Sequence, residues 1–122
     1  MITFEVDNLK SMNAKVSVFA DFLKAQDLDD EDVFLSRLVS CELISNVIRH
    51  GGDIAFFKGE LLADKISISV TADSQKNINL TPPKPEILSE GGRGLYIINA
   101  VSMNGIERGE GGELRVYIKR TL

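Results

Sequence analysis

The chain has 122 residues, 43% hydrophobic and 26% charged, with a formal net charge of −4, which is the composition of a single globular domain able to bury a real core. Its lysines and arginines are scattered among a larger number of acidic residues, so there is no basic face to neutralise phosphates and direct nucleic-acid binding is not expected. One cysteine and one histidine exclude an internal disulfide and leave too few ligands for a zinc site. The start of the chain lacks a basic-then-apolar leader and no apolar run approaches roughly 20 residues, so a cytoplasmic protein without membrane contact is expected.

Ile2, Phe4 and Val6 alternate with polar residues and predict a short strand. Asp7 and Asn8 then supply turn or cap chemistry. From about Ser11 to Ala25 the pattern is helical, with Met12, Val16, Phe19 and Leu23 on one amphipathic face. Asp29-Asp30-Glu31-Asp32 opens a second helix, where carboxylates suit the free N–H groups and the positive end of the dipole. That helix runs to about His50 and stops at Gly51-Gly52. It is apolar around most of its circumference and is expected to be largely buried.

Two strands follow, one over about Asp53 to Leu61 and one over Lys65 to Thr71, joined by a short turn at Ala63-Asp64. Residues 73–90 hold all three prolines and little apolar pattern, which predicts a long loop. A glycine-rich stretch leads into a third helix over about Leu95 to Met103. The chain closes with a terminal hairpin, Ile106 to Arg108 and Leu114 to Lys119, around a glycine turn. The order β-α-α-β-β-loop-α-β-β predicts one α+β domain over 1–122. Its form is a two-layer sandwich with helices on one face of a mostly antiparallel mixed sheet.

Two places carry chemistry. On the second helix, Leu35, Val39, Glu42 and Asn46 share one stripe. Glu42 and Asn46 are one turn apart, with Cβ atoms about 5–6 Å from each other. Pointed inward, such a pair needs partners. A carboxylate can deprotonate an attacking hydroxyl, and an amide oxygen is a hard ligand for Mg²⁺. His50 lies a further turn on. The same pair facing solvent, or bonding nearby backbone, is the plainer alternative.

The second place is Gly92-Arg93-Gly94-Leu95. Glycines before an apolar helix allow close backbone approach, and the helix start is an anion site. The spacing fits neither a dinucleotide fingerprint nor a P-loop, and a simple tight turn is the alternative.

Glu42-xxx-Asn46-xxx-His50-Gly51 resembles the Mg²⁺-binding helix motif of the ATPases shared by gyrase, heat-shock chaperones and histidine kinases. Gly92-Arg93-Gly94-Leu95 is similar to the glycine box that follows their ATP lid. The short length resembles most the anti-sigma-factor serine/threonine kinase branch. The resemblance implies a histidine-kinase-like ATPase fold that binds ATP and Mg²⁺. Glu42 would be the catalytic carboxylate and Asn46 the Mg²⁺ ligand. His50, Asp73, Gly92, Arg93, Gly94 and Leu95 would contact the nucleotide, and residues 75–91 would form the lid. It also implies a homodimer whose partner is a small anti-anti-sigma protein of the STAS type, phosphorylated on serine, with a sigma factor as a further partner. The strand after the motif helix ends Val70-Thr71-Ala72-Asp73, so the carboxylate expected to read adenine is present but the glycine that follows it in the family is not. A catalytically degenerate binding module of the same fold, sequestering a regulator without phosphoryl transfer, is the alternative function.

Overall fold

The computed structural model describes residues 1–49, 54–73 and 98–121. Strand β1 spans Ile2–Val6 and is followed by helices α1 (Leu9–Ala25) and α2 (Asp30–Arg49). Strands β2 (Ala55–Leu61), β3 (Lys65–Ala72), β4 (Glu107–Arg108) and β5 (Leu114–Lys119) complete the regular elements. Residues 98–101 are helical, within the span predicted for the third helix. The long loop, the start of that helix and the glycine stop after α2 lie outside the described residues.

Helix α1 begins two residues before the predicted start because Asn8 caps it. The Asn8 side chain accepts from the Ser11 N–H at 3.0 Å, so the helix can begin at Leu9. It ends where Asp27 takes a left-handed φ of 57°, a conformation that aspartate tolerates better than most residues. At the start of α2 the Asp29 carboxylate accepts from the Glu31 N–H at 3.1 Å, as the acidic run predicts.

The sheet has the order β1-β2-β3-β5-β4, and every pairing among the described residues is antiparallel. Register puts one apolar set on one face: Phe4 opposite Phe57, Phe57 opposite Val70, and Val70 opposite Leu114. Ile68 and Val116 continue it, both fully buried. Both helices cover this face. α1 lies against β1 and α2, and α2 crosses β2, β3 and β5. The result is an α+β fold of helices packed on an antiparallel sheet.

The core forms where the helix face meets the sheet face. Val16, Phe19 and Leu23 of α1 are fully buried. Phe57 stacks on Phe4 with ring centroids 4.4 Å apart and meets the Phe19 ring edge-on at 5.2 Å, both favoured aromatic geometries. α2 is less uniformly buried than its composition predicts: Phe34 is 64% exposed, while Ser36, Ser40 and Asn46 are buried. The two serines satisfy themselves within the helix, donating to Asp32 O and Ser36 O at 2.8 and 2.7 Å.

The direction of α2 follows from its two ends. Asp32, in its first turn, bonds Thr121 just beyond β5, and Lys119 of β5 pairs with Lys65 at the start of β3. At the other end, Arg49 and Ile54 are five residues apart, a reach of at most about 18 Å. Ile54 in turn exchanges hydrogen bonds with Asp73 just past β3. α2 therefore runs alongside β3 in the same direction, and its C-terminal turns lie at the Asp73 end of the sheet.

Candidate functional site

The flank of α2 that carries Glu42 and Asn46 is fixed by contacts on its neighbouring flank. The Cys41 thiol lies 3.8 Å from Asn13 Oδ1, and Ser45 Oγ lies 3.4 Å from Met12 Sδ, so these two residues face α1. Glu42 and Asn46 each follow one of them in sequence, about 100° further round the helix. They therefore lie on the flank next to the one that meets α1.

Their environments differ. Glu42 is half-buried. Asn46 is only 4% exposed, and no hydrogen bond to its side chain is found among the described residues. Its amide atoms are not among the fully buried side-chain atoms without a partner, so the little exposure that Asn46 keeps includes its polar end. Asn46 is thus a carbonyl oxygen and an NH₂ group at the edge of the packed helix, open to water or a ligand. The oxygen is of the hard type that Mg²⁺ prefers.

Asp73 sits exposed where β3 ends. Its backbone N–H donates to Ile54 O at 3.0 Å, and its Oδ1 accepts from the Ile54 N–H at 3.0 Å. One oxygen of this carboxylate therefore closes the β2–β3 ladder. Ala72, paired with Ala55, keeps the alternation of Val70. Glu42 and Asn46 lie in the second half of α2, which runs alongside β3 toward the end that carries Asp73. His50, Gly92, Arg93, Gly94, Leu95 and the proposed lid at 75–91 lie outside the described residues.

Cys41, next to Glu42, holds its proton more tightly than an ordinary thiol. Burial is the main cause and the neighbouring Glu42 carboxylate adds to it, while Arg37 acts in the opposite direction. Among the described residues no cluster of three or more His, Cys, Asp or Glu could hold a metal ion. A Mg²⁺ ion at Asn46 would accordingly take most of its ligands from phosphates and water, its usual habit at nucleotide sites. No described helix is long and apolar enough to cross a membrane.

Sequence reasoning did not single out a second concavity, on the face of the sheet opposite the helices. It has a volume of about 470 Å³ and draws its lining from all of β1, β2, β3 and β5 or their ends. Phe56, Lys58, Ser69 and Arg115 contribute to it. In sequence Lys58, Ser69 and Arg115 are alternate polar positions of three different strands, indistinguishable from an ordinary solvated face until the register brings them side by side, with Phe56 the apolar exception.

No family model matches the chain, and no curated protein matches it.

Proposed function

We propose that the chain binds ATP and Mg²⁺ with a histidine-kinase-like ATPase fold. In this reading it acts as a serine/threonine protein kinase of the anti-sigma-factor type on a small anti-anti-sigma partner. The observation that carries the reading is Asn46: a largely buried residue whose amide makes no hydrogen bond among the described residues yet keeps its polar end open, one helical turn from a half-buried carboxylate.

ATP would supply the phosphoryl group, with ADP as the leaving group, and Mg²⁺ would neutralise phosphate charge. Asn46 Oδ1 is the metal ligand offered by the chain. The Glu42 carboxylate accepts the proton of the partner's serine hydroxyl, which orients and activates the nucleophile. Packing of α2 on the sheet holds both groups in register, so little reordering is needed when ligand arrives. Gly92, Arg93, Gly94 and Leu95 are proposed to cradle the phosphates with free N–H groups at a helix start, with His50 at the same end.

Calorimetric titration with ATP and ADP, with and without Mg²⁺, tests this reading. The expected result is micromolar, Mg²⁺-dependent binding that weakens in Asn46→Ala. No binding at millimolar nucleotide, with the protein shown to be folded, sinks it.

One observation favours a second reading, the non-catalytic binding module. Asp73, proposed to read the adenine amino group, already uses Oδ1 to hold the Ile54 N–H. Glu42→Gln separates the two functions: a kinase loses phosphorylation of its partner, whereas a pure binding module keeps partner binding and has no phosphorylation to lose.

A further inference from the structure

The open face of the sheet carries a concavity of about 470 Å³ that the nucleotide reading does not use. Three residues lie in one row across its floor: Lys58 pairs with Ser69, and Ser69 pairs with Arg115. Neighbours in such a row have Cα atoms about 4.5–5.5 Å apart. Ser69 is only 9% exposed although it faces away from the helices, because the long side chains on either side wall it in. No hydrogen bond to its hydroxyl is found among the described residues. The next row places Phe56 opposite Thr71, and Phe56 is 39% exposed, a large aromatic surface on a face that is otherwise polar.

We infer that this concavity binds a small aromatic anion, its oxyanion group held over Ser69 between Lys58 and Arg115 and its ring resting on Phe56. Lys58 and Arg115 are the cations of that row, and Glu107 of β4 pairs with Arg115 at its far end. Lys58 meets Glu60 at 3.3 Å and Arg115 meets Glu113 at 3.0 Å, both partly exposed pairs. Such pairs contribute little, so an incoming anion can take over their donors at small cost. An ammonium offers three N–H donors and a guanidinium five, and these carboxylates and Tyr117 engage only part of them. Glu5 lies one row away on β1, paired with Phe56, so it borders the ring and not the oxyanion position. It therefore selects against ligands with a second negative group at that end.

The site lies on the opposite face of the sheet from α2, so its fate is independent of the nucleotide reading. The test is titration of the full chain with phenyl phosphate, followed by amide chemical shifts, with inorganic phosphate as the ringless probe. Saturable shifts centred on β2, β3 and β5 are expected, with inorganic phosphate binding more weakly. Ser69→Val removes a donor while suiting a strand, and Arg115→Ala removes a charged one. Each should weaken phenyl phosphate by roughly tenfold, the scale of a charge-assisted hydrogen bond. Phe56→Ser should bring the affinity down to that for inorganic phosphate. Shifts that never saturate at tens of millimolar overturn the inference, as does binding that all three folded variants retain.

Discussion

The carboxylate of Asp32, 3% exposed in the first turn of α2, accepts two hydrogen bonds from Thr121 beyond the end of β5: from its backbone N–H at 2.7 Å and from its hydroxyl at 3.0 Å. This contact joins the start of the helix layer to the end of the sheet across 89 residues of sequence. It fixes the direction of α2 and so decides where Glu42 and Asn46 come to lie. Asp32→Ala is expected to destabilise the fold by about 2 kcal/mol, the size of two charge-assisted bonds less the return of Thr121 to water. Asp32→Asn, which keeps an acceptor, is expected to lose about half of that. Urea unfolding with an unchanged m-value checks both. A double cycle with Thr121→Ala should show coupling of about 1 kcal/mol.

Gly59 makes room for Phe19. A Cβ placed on Gly59 would lie 2.5 Å from Phe19 Cε1, inside the ring's contact distance, and Phe19 is fully buried against Phe57. Gly59→Ala is expected to cost about 1–3 kcal/mol through overpacking, despite the better strand propensity of alanine. Phe19→Leu in the same chain should recover part of the loss, because the smaller side chain vacates the contact. Equal destabilisation in the single and double variants would argue that the strain lies in the backbone.

Much of this fold is legible in the sequence. β5 spans Leu114–Lys119 as the alternation predicts, and β2 and β3 fall within two residues of their expected ends. Alternation and amphipathic spacing report a local period, and here the period agrees with tertiary packing. Phe34 breaks that agreement: apolar in sequence, it stays exposed at the rim of a shallow concavity that it shares with Ala20 and Lys24 of α1. Asp32 was legible only as a helix-start charge, since its partner lies at the far end of the chain. The stripe of Glu42 and Asn46 was legible as a pattern, but the burial of the amide was not. Whether a polar stripe faces water or the interior depends on which neighbour the topology supplies.

The Cys41 thiol gives a pH dependence with a definite sign. Its folded-state pKa is raised above the ordinary 9.0, mainly by burial. The folded state therefore holds the proton more tightly than the unfolded chain does. The associated stability is complete below pH 9 and is lost as pH rises above that value through the folded pKa. Stability measured across the alkaline range should fall in the wild-type chain by more than in Cys41→Ala. Alkylation at neutral pH should be slower than that of a free cysteine and should reach the free rate in denaturant.

Asn46 offers the sharpest separation of function from stability. A buried amide kept for packing alone would have its hydrogen bonds met, and removing it would destabilise the fold. Among the described residues those bonds are not made, so Asn46→Leu breaks no hydrogen bond there and places an apolar side chain of similar size on a helix that favours leucine. Stability in urea is expected to stay level or to rise by about 1 kcal/mol. Mg²⁺-dependent nucleotide binding is expected to fall by at least about tenfold, since the oxygen ligand is gone. Leucine cannot restore that ligand however well it packs. A variant that loses about 2 kcal/mol or more while retaining nucleotide affinity would make Asn46 a structural amide and remove the main support for the site.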